Sequence, residues 1–187
     1  MNYYKICNRC VMDNSANNIF FDESGNCNYC SEMKVNFIKP NLEELLFKIK
    51  KSKRNNEYDC IIGLSGGVDS AWTLVKVIEM GLKPLAVHMD NGWNTELSQN
   101  NISNLVSTLN VDLYTKVIDW DEYKSLMNSF FRANVVDVEL LMDNAMFAVN
   151  FQQAKKNNLQ FILTGSNTST EGMKIPEKWN WYKYDKK

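Results

Sequence analysis

Four short strand-like runs recur along this chain, separated by longer stretches of helical spacing. Cys60-Ile61-Ile62-Gly63-Leu64 is apolar throughout, as suits a strand buried on both faces of a parallel sheet. Behind it, Trp72, Leu74, Val75 and Ile78 repeat at helical intervals, and Gly81 supplies a stop after Met80. Pro84 to Met89 is a second apolar run, Thr95 to Leu109 a second helix with Thr95 as its cap, and Asp112 to Ile118 alternates as a strand does. Tyr123 to Phe131 and Val138 to Lys156 read as helices, and Gln160 to Leu163 as a buried strand. The Met and Phe content of 138–156 reads as core packing. Strands alternating with helices predict an α/β fold, an open parallel sheet flanked by helices, Rossmann-like, with right-handed crossovers.

In such sheets ligands bind beyond the carboxyl ends of the strands, so the residues that follow each run carry the candidate chemistry. After the first run comes Ser65-Gly66-Gly67-Val68-Asp69-Ser70, a glycine turn opening directly into a helix. Bare backbone N–H groups and the positive end of the helix dipole converge there, which favours a phosphate. The pattern is neither the Gly-x-x-x-x-Gly-Lys-Ser/Thr loop nor Gly-x-Gly-x-x-Gly. Met89-Asp90-Asn91-Gly92 and Thr164-Gly165-Ser166-Asn167 end the second and last runs at the same edge. His88, the single histidine, has the strand parity opposite to Val87 and Met89 and reads as a satisfied structural residue. Cys60, at the start of the first run, reads as an inert buried thiol.

Cys7-x-x-Cys10 and Cys27-x-x-Cys30 form two knuckles with the spacing of a closed, tetrahedral structural zinc site. Residues 1–38 are then a zinc module too small to fold unaided, 39–56 a helical connector, and 57–187 the nucleotide-binding domain. The 187 residues carry a net charge of −1, which argues against a nucleic-acid surface. No apolar run is long enough to span a membrane and the N-terminus lacks a signal-peptide core, so a cytoplasmic location is expected.

Ser-Gly-Gly-Val-Asp-Ser resembles the pyrophosphate loop of the N-type ATP pyrophosphatases, which include GMP, NAD and asparagine synthetases and several tRNA-modifying enzymes. The resemblance implies an adenine nucleotide alpha-hydrolase-like fold and cleavage of ATP to AMP and pyrophosphate through an adenylated intermediate. It implies that Leu64, Ser65, Gly66, Gly67 and Ser70 hold the β,γ-pyrophosphate and that Asp69 orients magnesium. By the same carry-over, backbone near Val87 and Met89 receives adenine, and Thr164-Gly165 approaches the α-phosphate and ribose. Ser65, Asp69, Asp90 and Glu171 are the residues it marks for catalysis, with Asp90 on the ribose or on magnesium.

Three features extend the resemblance over essentially the whole chain. They are Cys-x-x-Cys-Val-Met with Phe-Asp-Glu-x-Gly-x-Cys-x-x-Cys, the Asp59-Cys60-Ile61-Ile62 lead-in, and His88-Met89-Asp90-Asn91-Gly92-Trp93-Asn94. Together they are similar to the N-acetyl sugar amidotransferases of bacterial surface-polysaccharide, lipopolysaccharide and nonulosonic-acid synthesis, which turn an acetamido group into an acetamidino group. Relatives often carry Pro where Asp13 stands and Lys where Val68 stands, and they run well beyond Lys187. Truncation within the sugar site is therefore expected. No glutaminase pair is visible with one histidine in a strand, so ammonia is either free or delivered by another protein, and the resemblance implies a separate glutaminase subunit. Two other readings stay open: tRNA thiolation, which needs further cysteines, and a nucleotide-binding module without turnover.

Overall fold

The computed structural model describes residues 4–32, 41–53, 56–135, 137–166, 175, 176 and 179. They belong to two units, one drawn from 1–40 with 167–187 and the other from 41–166. In the first unit the two knuckles are laced by short hydrogen bonds. Asn8 donates its backbone N–H to the Gly25 carbonyl at 3.0 Å and its Nδ2 to the Ser24 carbonyl at 2.7 Å. Gly25 stands at φ +76°, and a Cβ there would meet Asn8 Nδ2 at 2.5 Å, so only glycine fits the crossing. Phe21 and Cys27 form an isolated antiparallel bridge, and Ile6 and Asp13 a second. A five-residue helix, α1 (Asn28–Glu32), starts inside the second knuckle. The buried core is Cys7, Met12, Cys27 and Cys30, with Ile19, Phe21 and Tyr29 around it.

The second unit opens on α2 (Leu42–Ser52), capped by Asn41, whose side chain accepts from the Glu44 N–H at 3.1 Å. The elements then alternate as expected: β1 (Cys60–Gly63), α3 (Val68–Glu79), β2 (Pro84–Asp90), α4 (Glu96–Leu109) and β3 (Leu113–Val117). α5 (Trp120–Arg132), α6 (Leu140–Lys156) and β4 (Ile162–Leu163) complete it. All pairings are parallel and the order is β3-β2-β1-β4, with Ile61 between Leu85 and Ile162. The chain therefore winds outward from β1 on one side and returns to its other side. That reversal leaves a crevice at the carboxyl ends of β1 and β4, the place where open sheets bind ligands.

Buried Asp59 sets the register. Its carboxylate takes the Lys83 N–H at 2.6 Å and the Lys53 ammonium at 3.0 Å, fixing the start of β1 beside β2. One face of the sheet packs Ile62, Leu64 and Ala86 under α2, α3 and α4, while the other packs Ile61, Leu85 and Val87 under α6. Several boundaries differ from the periodicity. α5 begins earlier because Asp119 accepts from the Glu122 N–H at 2.9 Å and caps it. α6 begins at Leu140 rather than Val138, β3 is two residues shorter than its run, and β4 keeps only two residues of the expected four. The reading of the Met and Phe content of 138–156 as core packing is overturned for Met146, Phe147 and Phe151, which are 39%, 50% and 63% exposed; the helix buries Val149 and Ala154 instead. The face it turns to the sheet is mixed, with Asn150 against Gly63 and Gln153 buried beside Val149 and Ala154. No helix among the described residues is long and apolar enough to cross a membrane.

Candidate nucleotide and metal sites

β1 delivers its chain straight into the Ser65–Ser70 turn, and the turn is braced from within. Ser70 Oγ accepts the Ser65 N–H at 3.2 Å, lies 3.1 Å from Ser65 Oγ and donates to the Gly67 carbonyl at 3.1 Å. Gly67 is the N-cap of α3, and its N–H donates to Ser65 Oγ at 3.3 Å. Val68, Asp69 and Ser70 form the first turn of α3, whose N–H groups have no carbonyl four residues back. They present an anion-binding end with the dipole behind it. Ser65, Gly67, Val68 and Asp69 are exposed, so the turn faces outward.

Two elements far along the chain clamp this turn. Gly66, at φ +80°, sits so close to α4 that a Cβ would lie 2.5 Å from the Ser98 carbonyl oxygen. Asn101 Nδ2 donates to the Gly66 carbonyl at 3.1 Å. On the other side the end of β4 arrives: a Cβ on Gly165 would meet Asp69 C and Ser70 N at 2.8 Å. The structure thus brings Gly165 against the loop helix, with Thr164 beside it, its Oγ1 3.0 Å from Ser166 Oγ. Asn101 and Ser98 carry no motif, and only the packing reveals their role.

Asp90, at the end of β2, belongs to a hydrogen-bonded chain that reaches the loop. His88 Nδ1 lies 2.8 Å from the Leu64 carbonyl, which only accepts, so Nδ1 carries the hydrogen. Nε2 then accepts from Asn94 Nδ2 at 3.3 Å, and the same amide group donates to Asp90 Oδ1 at 3.2 Å. Asp90 Oδ1 also takes the Gly92 N–H at 3.0 Å. His88 is buried with both ring nitrogens engaged, as a structural histidine is. Val87 is buried with its carbonyl accepting the Leu64 N–H at 2.8 Å, and Met89 packs on the α6 side of the sheet. Asn167 and Glu171 lie outside the described residues.

A groove of ≈ 580 Å³ runs beside the loop between α3 and α4, lined by Gly66, Gly67, Val75, Asn101, Leu105 and Leu109. Its aliphatic walls suit no polyphosphate. Gly67 and Val68 edge this groove on one side of the first turn of α3, while Asp69 and Ser70 face Gly165 and the β1–β4 crevice on the other. Cys60, fully buried at the start of β1, has its thiol pushed up to about 12 by burial and the neighbouring Asp59 carboxylate. It is inert at neutral pH.

In the first unit the Sγ atoms of Cys7, Cys10, Cys27 and Cys30 all lie within 4.8 Å of one another. Cys7 and Cys30 are 3.8 Å apart and Cys10 and Cys27 3.6 Å, too far for disulfides. Zn–S bonds of about 2.3 Å in tetrahedral array require sulfur–sulfur separations of about 3.8 Å, so the donor set fits zinc. Burial opposes ionisation of Cys7, but backbone N–H groups of Arg9, Cys10 and Cys27 aimed at its sulfur bring it down to about 6. Burial raises Cys27 and Cys30. A metal would reverse that, since it binds the thiolates.

No family model matches the chain, and no curated protein sequence does. Solved structures resemble it, two of them with TM-scores above 0.5 as follows. NMN synthetase from Francisella tularensis matches 67% of this chain at 22% identity with a TM-score of 0.54. The glutamine-dependent NAD+ synthetase from Acinetobacter baumannii, in complex with adenosine diphosphate, matches 68% of it at 20% identity with a TM-score of 0.57. This chain spans 53% of the first and 24% of the second. At such identities the likeness is one of architecture: residues 41–166 contain a four-stranded parallel sheet flanked by helices, the fold shared with the NMN and NAD synthetases.

Proposed function

We propose that the chain is an ATP-dependent amidotransferase that converts the acetamido group of an N-acetyl sugar into an acetamidino group, releasing AMP and pyrophosphate. The observation that carries the nucleotide half is the contact of Gly165 with Asp69 and Ser70, which closes the crevice around an anion-binding helix start. The neighbour solved with adenosine diphosphate supports the same reading. The whole-chain resemblance to sugar amidotransferases supports the choice of acceptor.

An amide carbonyl is a poor electrophile, and its oxygen a hopeless leaving group. In the proposed reaction that oxygen attacks the α-phosphorus of ATP, the bond to pyrophosphate breaks, and an O-adenylated imidate forms. Ammonia adds to its carbon, the C–O bond breaks, AMP leaves with the sugar's carbonyl oxygen, and loss of a proton gives the amidinium. The protein positions reactants and stabilises developing negative charge. Ser65, Gly66, Gly67 and Ser70 would hold the departing pyrophosphate, with Leu64 leading into the turn. Val87 and Met89 backbone would flank the adenosine, and Thr164 and Gly165 the α-phosphate. Asp69 and Asp90 carboxylates would hold magnesium, which supplies charge neutralisation at phosphate oxygens. Glu171 keeps its proposed catalytic part from sequence alone. Zinc on the four cysteines would stabilise the first unit without entering the reaction.

Ammonia would come from a separate glutaminase subunit, and the chemistry suits the cytoplasm, where ATP is made. Thiolation of tRNA is the weaker reading, because Cys60 is buried and held protonated. The test is incubation with ATP, magnesium, ammonium and an acetamido sugar carrying heavy oxygen in its carbonyl. Sugar-dependent pyrophosphate release, with the label appearing in AMP, is expected. Release of ADP, or label that stays on the sugar, overturns the proposal.

A further inference from the structure

At the carboxyl end of β2, directly after Asp90, the chain holds an aromatic side chain in the open. Trp93 is 67% exposed, yet little about it is loose. Its N–H donates to Asn91 Oδ1 at 2.9 Å, and the preceding Gly92 N–H is taken by Asp90, so two consecutive side-chain turns set its backbone. Its ring meets Trp120, at the start of α5, with centroids 5.7 Å apart and planes at 60°. Trp120 in turn meets Tyr123 at 6.0 Å. Gly92, at φ +77°, lets the turn close on Trp120: a Cβ there would touch that ring at 3.4 Å. Trp120 itself is 46% exposed, whereas Tyr123 is buried. The cluster has a fixed base and an open indole face.

A large apolar ring held rigid in solvent is unfavourable unless something covers it, and rigid aromatic surface binds with little loss of conformational freedom. Position says that the cover is a ligand, since Trp93 follows the β2 terminus in the loop that carries Asp90 and Asn94. Charge says what kind. Asp121 and Glu122, both exposed, follow Trp120 directly, with Lys116 and Lys124 further out, while Asp119 is engaged in capping α5. Carboxylates repel a phosphate but accept hydrogen bonds from hydroxyl groups. A ring with an apolar C–H face and hydroxyls at its rim satisfies both requirements; a phosphorylated nucleoside satisfies only the first.

We infer that Trp93, backed by Trp120, is the stacking platform for the pyranose ring of the acceptor, with the neighbouring carboxylates taking its hydroxyl hydrogens. The inference rests on the amidation reading and names the subsite that reading lacks. It is tested by saturation-transfer NMR of the full chain with N-acetylglucosamine and, separately, adenosine, alongside calorimetric titration with ATP and magnesium. Saturation of the sugar's ring protons is expected, reduced roughly fivefold or more in Trp93→Ala and largely restored in Trp93→Phe, with ATP affinity within about twofold throughout. Sugar saturation unchanged in Trp93→Ala, or absent from the wild type, overturns the platform. So does loss of adenosine or ATP binding in Trp93→Ala, because the indole then belongs to the base. Sugar stacking without any ATP uptake would keep the platform and sink the nucleotide reading instead.

Discussion

The two units solve the same problem, holding a few ligand-binding groups in fixed geometry, by opposite routes. In the first, four side chains converge on one point, and among the described residues Met12, Ala16, Gly25 and Pro176 are the other buried positions. In the second, the groups are mostly backbone N–H, and two layers of aliphatic side chains hold the strands that aim them. A metal on the four sulfurs would hold the first unit together, whereas the second unit shapes its candidate anion site by its own packing. The lesson is that sensitivity lies in different atoms: in sulfurs for the one, in missing Cβ atoms for the other.

Chelation is the strongest way to break the comparison. Stripping zinc, or Cys27→Ser, should remove on the order of 10 kcal/mol of folding free energy from the first unit alone. Hydrogen exchange reads it: Asn8 and Cys27 amides should exchange freely while Ile62 and Ala86 stay protected. Loss of protection in the sheet as well would show that the units do not fold independently.

Next come the glycines. Gly66→Ala should destabilise the second unit by about 3 kcal/mol in urea unfolding, combining a left-handed φ with a clash on the Ser98 carbonyl. Gly165→Ala should cost about 2 kcal/mol by pressing on Asp69 and Ser70, and it should weaken ATP binding more than it weakens the fold. An alanine tolerated at either site would mean that the loop is not clamped as described.

His88→Ala sharpens the contrast by leaving backbone intact. It strands the Leu64 carbonyl and frees Asn94, so a loss of about 2 kcal/mol is expected together with a higher magnesium requirement for ATP binding. Unchanged magnesium dependence would reduce the His88–Asn94–Asp90 chain to a packing device.

The smallest effect is in alkali. Burial, then the Asp112 carboxylate that accepts its hydroxyl hydrogen at 3.0 Å, raises Tyr58 from 10.0 to about 12. The folded state therefore keeps a proton that the unfolded chain releases, and stability contributed below pH 10 is lost as pH rises towards 12. Tyr58→Phe should flatten that decline in a pH series of thermal melts.

Much of this was readable from residues in order. Cys60–Leu64 with Ser65–Ser70 announces strand, turn and helix, because a buried parallel strand must be apolar and an anion-binding turn must shed its Cβ atoms. The four cysteines announce themselves by spacing. What escaped lies in contacts between distant segments. Asn101 is one Asn among several in α4, and nothing in its neighbours says that it reaches Gly66. Trp93 and Trp120 are separated by 27 positions, and only the juxtaposition of two loops makes them a cluster. The Met and Phe content of α6 misleads for a related reason, since composition cannot say which face of a mixed helix a four-stranded sheet will cover.

The clamp of Ser98 and Asn101 on Gly66 has a kinetic corollary. A loop already held in its working shape has no ordering step left to perform, so encounter with a triphosphate should lead to capture in a single phase, at a rate governed by diffusion and charge rather than by conformational search.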